Sequence, residues 1–218
     1  MMSPFETARI AMVDAQVRAN DVPNPALQAA MLAVAREAFV PADRRAVAYA
    51  DLEAPIGDER CLLRPRDFAK LAHACAPQAH DIVLDLFAGT GYSTAILARL
   101  SETVLAVEPN ERLAKSAQKT LMDQGVANAV ALCGDALQGL ASEAPFQVIF
   151  VNGAVEDVPQ LWLDQLADGG RLGVFVRDGS IARARLYTKA GAACGFRVLF
   201  DGSAPLLPGA TRPRGFEF

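Results

Sequence analysis

The sequence contains few of the residues that build metal sites and disulfide frameworks. Its 218 residues include two histidines and four cysteines, and no two cysteines form a Cys-x-x-Cys pair. Scattered cysteines are typical of proteins in the reducing cytoplasm, where thiols stay unpaired. We therefore expect neither a metal nor a disulfide, and we interpret His73 and His80 as structural or solvated side chains.

Long hydrophobic runs and an excess of positive charge are also missing. No run approaches the ~18 apolar residues of a membrane span, and Glu6 and Arg9 interrupt residues 1–12, so we expect neither a membrane segment nor a signal peptide. The net charge of −4 argues against nucleic acid as a partner. Hydrophobic residues make up 52% of the chain, which suffices for the core of one α/β domain with an extension.

The hydrophobic pattern changes near residue 80. Residues 1–80 predict a helical N-terminal cap, with helices at 5–19, 25–35 and 65–75 and an exposed loop at 57–65. Residues 81–218 alternate apolar runs with amphipathic stretches, which predicts βαβ units and a doubly wound, mostly parallel α/β sheet. The apolar runs lie at 82–87, 104–107, 129–132, 148–151 and 172–176. The amphipathic stretches lie at 92–100, 111–124, 136–141 and 158–166.

Two further strand candidates follow this alternating region, at 196–200 and 214–218. Strands that follow one another so late in the chain usually add an antiparallel edge to the sheet. The loop between them contains Pro205-Leu-Leu-Pro-Gly209 and is too apolar for a solvated connector. We expect this loop to pack near the mouth of the site, against the N-terminal cap.

The segment Val83-Leu-Asp-Leu-Phe-Ala-Gly-Thr-Gly-Tyr92 is the most informative part of the chain. An apolar strand ends there in a loop of small residues, and a helix follows at once. Gly89 and Gly91 allow a tight turn and a close approach of the backbone to a ligand. Ligands of open α/β sheets bind outside the carboxyl ends of the strands, where this loop lies.

Two cofactor classes use such a loop, and its details separate them. A dinucleotide-binding fingerprint requires a third glycine, and Thr94 stands in that place. Asp85, four residues before Gly89, would repel a pyrophosphate but suits the positive charges of S-adenosylmethionine. The loop therefore favours S-adenosylmethionine over a nicotinamide cofactor.

Carboxylates end three successive predicted strands. Asp85 ends the first, Glu108 the second, and Asp135 follows the third. A carboxylate in the place of Glu108 can accept hydrogen bonds from both ribose hydroxyls, and one in the place of Asp135 can bind an adenine amino group. We therefore expect the three side chains to line one ligand pocket.

The chain resembles the protein-L-isoaspartate O-methyltransferase family of class I S-adenosylmethionine-dependent methyltransferases. The resemblance extends from about residue 12 to residue 177. It rests on Met12-Val-Asp-Ala-Gln-Val-Arg18, Arg36-Glu-Ala-Phe-Val-Pro41, Tyr49-Ala-Asp51, Pro55-Ile-Gly57, Ala144-Pro-Phe146 and Leu166-Ala-Asp-Gly-Gly-Arg-Leu172, in addition to the cofactor loop and Gly134-Asp135.

The resemblance implies a Rossmann-like methyltransferase fold, a carboxyl methyltransferase activity and an isoaspartyl-containing protein or peptide as the acceptor. It also makes 57–65 the substrate loop and 81–218 the S-adenosylmethionine-binding domain. The implied cofactor residues are Asp85, Ala88, Gly89, Thr90, Gly91, Tyr92, Glu108, Pro109, Asp135, Ala136 and Asn152.

The sequence departs from the family pattern at two places. Phe87 stands where the cofactor loop of the family has its first glycine, and we expect it to narrow the pocket floor. The family's substrate loop contains a serine that contacts the reacting carboxylate, and Leu63 replaces it. The substrate-side candidates are therefore Arg60, Leu62, Leu63 and Arg64, with an arginine able to bind an acidic acceptor.

Three hypotheses about function follow from these features. The first is a methyltransferase that acts on a carboxylate, either an isoaspartyl residue or a diverged acceptor. The second is a protein that binds S-adenosylmethionine or S-adenosylhomocysteine and has lost catalysis, as the altered loop would allow. The third, a nicotinamide-dependent oxidoreductase, is disfavoured by Thr94 and by the long helical cap.

Overall fold

A seven-stranded sheet organises the molecule, and the computed structural model describes residues 2–212. The strand order is β5-β4-β3-β6-β7-β8-β9, and a separate two-stranded hairpin is formed by β1 and β2. The strands are β1 Ala54–Gly57, β2 Arg60–Leu62, β3 Ile82–Leu86, β4 Thr103–Glu108, β5 Ala129–Cys133, β6 Phe146–Val155, β7 Leu166–Asp178, β8 Ile181–Ala190 and β9 Ala193–Gly202. The α-helices are α1 Pro4–Met12, α2 Pro25–Ala33, α3 Pro65–Cys75, α4 Tyr92–Leu97, α5 Glu111–Asp123 and α6 Gln160–Asp164.

The parallel part of the sheet follows from its apolar strands and amphipathic helices. β3 pairs in parallel with β4 and β6, β4 with β5, and β6 with β7. The helix α5 begins where the Asn110 side chain accepts a hydrogen bond from the Leu113 backbone, and it buries a stripe that includes Leu113 and Leu121. The doubly wound α/β fold predicted from the sequence is confirmed.

The last two described strands are antiparallel. β8 pairs with β7, and β9 pairs with β8 across a tight turn at Gly191. The predicted strand at 196–200 lies within β9, whereas the one at 214–218 falls outside the described residues. The sequence did not predict β8, because alanines and arginines alternate along most of it and form no apolar run.

The N-terminal segment covers one side of the sheet. α1 begins with a capping box between Ser3 and Glu6, and beyond Met12 it continues as one wider turn, Val13–Val17. The rings of Phe39 and Phe68 both lie 5.7 Å from the ring of Tyr92, and Phe68 also contacts Phe150. The cap and the sheet therefore share one hydrophobic core.

Three segments differ from their predictions. Residues 136–141 form a turn instead of a helix, because Asp135 caps the turn at Leu137 and Gly139 adopts a φ of 71°. The predicted helix at 158–166 shortens to α6, since residue 166 already belongs to β7. The predicted loop at 57–65 is instead mostly the β1–β2 hairpin.

The apolar C-terminal loop packs on the end of β6. Leu207 is buried, and the backbone of Leu207 and Pro205 hydrogen-bonds with Ala154. Within residues 2–212, none of the helices has both the length and the apolar character needed to cross a membrane.

Candidate active site

The β1–β2 hairpin lies over the carboxyl end of β4. Its two turn residues, Asp58 and Glu59, both have positive φ values, as a tight two-residue hairpin turn requires. The Asp58 carboxylate accepts hydrogen bonds from Arg112 at 2.7 Å and from the Asn110 side chain at 2.8 Å. These contacts join the hairpin to the turn between β4 and α5.

The expectation of an exposed loop at 57–65 was wrong, because the hairpin turns several side chains inward. Arg60, Leu62 and Leu63 are buried, while Gly57, Asp58 and Glu59 at the turn are exposed. Burial alternates along β2, with Arg60 and Leu62 buried and Cys61 half-buried between them, so the pairing with β1 fixes which face points to the sheet.

Arg60 forms a buried ion pair with Glu108 at the tip of β4. Its Nη1 donates to both carboxylate oxygens at 3.0 Å, and its Nη2 donates to the Phe87 carbonyl at 2.7 Å. The side chains are only 5% and 1% exposed. Since removing one partner of such a pair leaves an uncompensated buried charge, this contact couples the hairpin firmly to the cofactor loop.

Glu108 also holds the backbone around it. The amide of Gly89 donates to one oxygen at 2.8 Å, and the amide of Asn110 donates to the other at 3.1 Å. A carboxylate has about four lone-pair sites. With two backbone amides and the two contacts of Arg60, the accepting capacity of Glu108 is used.

Asp85 is completely buried beneath the loop. It accepts hydrogen bonds from the hydroxyls of Ser93 at 2.7 Å and Thr94 at 2.6 Å, and from the Asn152 amide at 2.6 Å. Burial raises the pKa of Asp85 to about 6, against the effect of these three hydrogen bonds. Asp85 therefore ties the end of β3 to the start of α4 and to β6.

The cofactor loop contains one strained non-glycine residue. Gly89 and Gly91 adopt φ values of 60° and 91°, as the glycine pattern predicts, but Phe87 also adopts a φ of 54°. The Phe87 ring is buried, lies 6.5 Å from the Trp162 ring and has the Arg60 guanidinium 5.4 Å from its centre. This large side chain occupies space that a glycine would leave free.

The later loop residues connect the sheet to the N-terminal cap. The Thr90 hydroxyl donates to the Phe39 carbonyl at 2.6 Å. Tyr92 is buried, with the Arg36 guanidinium 4.6 Å from its ring centre. These contacts bring the N-terminal motif around Arg36 next to the loop motif in space, although the two are distant in sequence.

The other predicted cofactor residues lie around this centre. Ala88 is buried in the loop, and Pro109 is exposed directly after Glu108. Asp135 is exposed and accepts a hydrogen bond from the Leu137 amide, while the buried Ala136 accepts one from the Trp162 indole at 2.9 Å.

A cavity of about 240 Å³ lies between the hairpin and the strand tips. It is lined by Asp58, Arg60, Glu108, Pro109, Asn110 and Pro208. Of the three predicted carboxylates, Glu108 alone lines it. Sites for small molecules usually measure about 300–1,000 Å³, so this cavity is smaller than is typical of such a site.

The loop residues fit S-adenosylmethionine by type and position, but Arg60 and Phe87 take part of the space it would need. Glu108 lies at the strand tip where the sequence predicts a ribose ligand. A Cβ at Gly89 would lie 2.6 Å from the Ile56 side chain, so the glycine allows the β1–β2 hairpin to pack directly against the loop.

The remaining substrate-side candidates are held by other groups. Leu63 is buried, and its carbonyl accepts a hydrogen bond from Arg36 at 2.8 Å. Arg64 lies 3.5 Å from Glu53 and 3.7 Å from Asp67. Leu62 is also buried, so these residues do not line the cavity.

The cysteines and histidines do not form a second centre within the described part of the chain. Burial raises the pKa of Cys61 to about 11 and that of Cys75 to about 12, so both remain thiols at neutral pH. All four cysteines are free. The side chain of His80 is 82% exposed, and His73 is a half-buried residue of α3.

A family model described as protein-L-isoaspartate(D-aspartate) O-methyltransferase matches residues 9–196. A protein-L-isoaspartate O-methyltransferase of Methanospirillum hungatei is 34% identical over 183 residues, which cover 84% of this chain and 85% of the relative. One of Methylorubrum populi is 39% identical over 167 residues, covering 77% and 78%.

Solved structures agree with this match at the level of the fold. A protein-L-isoaspartate O-methyltransferase superposes with a TM-score of 0.80 at 23% identity, over 94% of this chain and 66% of the other. A protein from Plasmodium falciparum, described as a putative enzyme of this kind in complex with S-adenosyl-L-homocysteine, gives a TM-score of 0.79 at 17% identity, over 91% and 97%. The chain therefore belongs to the protein-L-isoaspartate O-methyltransferase family.

Proposed function

We propose that the protein is an S-adenosylmethionine-dependent carboxyl methyltransferase. Its acceptor is an isoaspartyl residue in a damaged protein or peptide, or a diverged carboxylate. The observation that carries this proposal is the family match, which extends over the cap as well as the sheet. Free cysteines agree with a reducing compartment, and we include the cytoplasm in the proposal.

When bound, S-adenosylmethionine supplies an electrophilic methyl group on its sulfonium. The chain's own contribution is to bind and orient. Glu108 would hold the ribose once Arg60 no longer occupies its carboxylate, and the glycines at 89 and 91 would allow close approach of the backbone. Asp85 holds this loop to α4 and β6 through Ser93, Thr94 and Asn152.

The acceptor requires little chemical activation. A carboxylate is ionised and nucleophilic at neutral pH, so the protein needs to position it and exclude water rather than remove a proton. This agrees with the absence of a paired base and nucleophile around the cavity within residues 2–212.

The acceptor contact differs from the one that the family serine would provide. Leu63 offers no polar side-chain atom, and Arg64 is engaged by Glu53 and Asp67. Arg60 is the arginine that lines the cavity, and it could meet an acceptor carboxylate after leaving Glu108. We therefore place acceptor recognition on Arg60 in preference to Arg64.

A second candidate function is binding of S-adenosylmethionine or S-adenosylhomocysteine without catalysis. The buried Leu63 favours it, because this side chain lacks the hydroxyl with which the family contacts the acceptor. Both hypotheses require the same cofactor site, and they differ in whether a methyl group is transferred to an acceptor.

Transfer of a labelled methyl group separates the two candidates. The purified protein is incubated with labelled S-adenosylmethionine and either an isoaspartyl peptide or the same peptide with a normal aspartyl residue. Label in the isoaspartyl peptide alone supports the methyltransferase. Calorimetry with S-adenosylhomocysteine and with NAD runs in parallel, and binding of S-adenosylhomocysteine without any transfer supports the second candidate.

A further inference from the structure

We propose that Arg60 is an internal competitor for the ribose position, and that it keeps the site closed until the cofactor displaces it from Glu108. This inference rests on the proposed function, since it assumes that Glu108 receives the ribose. It adds a residue outside the cofactor loop that determines when the cofactor can bind.

The contact between Arg60 and Glu108 has the short hydrogen bonds and the burial of a bound ligand. The Arg60 guanidinium makes hydrogen bonds to two carboxylate oxygens and to the Phe87 carbonyl, at 2.7–3.0 Å. It lies beside the Phe87 ring and is almost completely buried. A half-buried arginine at the start of α3, Arg66, contacts Asp67 only at 3.7 Å. Arg60 is thus held by shorter and more numerous contacts than Arg66.

The Arg60 guanidinium and a ribose cannot bind Glu108 at the same time, because both need the same lone-pair sites of its carboxylate. The backbone amides of Gly89 and Asn110 use one site on each oxygen, and the loop geometry fixes both. Arg60 uses the remaining two. A ribose diol would also donate two hydrogen bonds, so it can bind only when the guanidinium has left.

The position of Arg60 in the hairpin provides a way for it to leave. It is the first residue of β2, directly after the exposed turn at Asp58 and Glu59. That turn is held to α5 by the Asp58–Arg112 pair, whose side chains are 43% and 61% exposed. Exposed ion pairs contribute little to stability, so the Asp58–Arg112 pair opposes movement of the turn only weakly.

The Arg60→Ala variant tests the competition by calorimetric titration with S-adenosylhomocysteine. We expect its affinity to rise at least tenfold over that of the wild type, while its thermal unfolding temperature falls because Glu108 loses its buried partner. A purely structural arginine would lower the unfolding temperature without improving affinity. Arg60→Lys, which retains the charge but lacks the second nitrogen that donates to the Phe87 carbonyl, should give an intermediate affinity and a folded protein.

Arg171→Ala is a matched control. Arg171 donates to the buried Asp81 at 2.8 Å and to the Cys75 carbonyl at 3.0 Å, at the amino end of the sheet. Its loss should lower the unfolding temperature and leave the S-adenosylhomocysteine affinity unchanged. An affinity gain in this control would show that general loosening opens the site, and it would overturn the role of Arg60.

The other outcomes separate this inference from the proposed function. If the wild type binds S-adenosylhomocysteine and neither Arg60 variant binds it more tightly, the inference alone fails. If the wild type and both variants are folded but bind none at millimolar concentration, the cofactor site is absent, and the proposed function fails together with the inference.

Discussion

Glu108 is the side chain of the site that accepts the most hydrogen bonds. It accepts hydrogen bonds from the hairpin, from the glycine loop and from the turn that leads into α5. The sequence predicted Glu108 as a ligand from its place at a strand tip. It did not predict the pair with Arg60, because the two residues are 48 positions apart and no local pattern links them.

Replacement of Glu108 by Ala should have two measurable effects. S-adenosylhomocysteine binding should weaken by about 1.5–3 kcal/mol, the range for a hydrogen bond to a charged group. Stability should fall by about 3–5 kcal/mol, because Arg60 is left buried and unpaired. Calorimetry and urea unfolding measure the two effects. Glu111→Ala, at the exposed start of α5, serves as a control that should change neither. Unchanged affinity in Glu108→Ala would remove Glu108 from the site.

Asp85 should make stability depend on pH in the acid range. Its folded pKa of about 6 exceeds the unfolded value of about 3.9, so the folded state binds the proton more tightly. Stability therefore rises as pH falls through 6. Between about pH 7 and pH 5, the wild type should gain about 1 kcal/mol relative to Asp85→Asn, which does not titrate. Urea unfolding of both proteins at the two pH values measures the difference, and parallel pH profiles would contradict it.

At the level of elements, the strands and helices of the sheet were easier to predict than the hairpin. β3 and α5 have strong periodic patterns and a clear boundary residue such as Asn110. The β1–β2 hairpin has short strands, and its turn is Asp58-Glu59, which lacks the glycine that usually marks such a turn. Its burial depends on Arg60 meeting Glu108, which is a tertiary contact.

Leu63, which directly follows the β1–β2 hairpin, offers a test of how far the acceptor site has diverged. Leu63→Ser restores the residue type of the family loop, and we expect it to create or increase methyl transfer to an isoaspartyl peptide. The change also removes a buried side chain, so stability should fall by about 2–5 kcal/mol. Leu63→Ala has the same packing loss without a hydroxyl and is the matched control. Equal transfer by the two variants would exclude recognition through the serine hydroxyl.

At the scale of the whole molecule, the segment from Pro205 to Pro208 links the end of β6 to the cavity. Ala154 binds the segment through two backbone hydrogen bonds, and Pro208 lines the cavity beside Arg60. The sequence predicted that this apolar segment would pack near the site against the N-terminal cap. Pro208 does line the cavity, but Leu207 packs on β6 and not on the cap, because the end of β6 offers it both backbone hydrogen bonds and an apolar surface. The order of the late strands could not be predicted, because pairing of β8 with β7 leaves no signature in a sequence rich in alanine and arginine.

A double-mutant cycle at the junction of β6 and this segment tests whether the two form one cooperative unit. A Cβ added at Gly153 would lie 2.5 Å from the Leu207 side chain, so Gly153→Ala should push the segment away and destabilise the protein by about 1–3 kcal/mol. Leu207→Ala alone should cost about 2–5 kcal/mol, because a buried side chain is lost.

In the double variant the new methyl group fills part of the space that Leu207 vacates. Its loss of stability should therefore be smaller than the sum of the two single losses, by about 0.5–3 kcal/mol, as for residues in direct contact. Urea unfolding of the four proteins gives this coupling energy. Additive losses would mean that the cost of Gly153→Ala comes from backbone strain at its φ of 156° and not from contact with the Leu207 side chain.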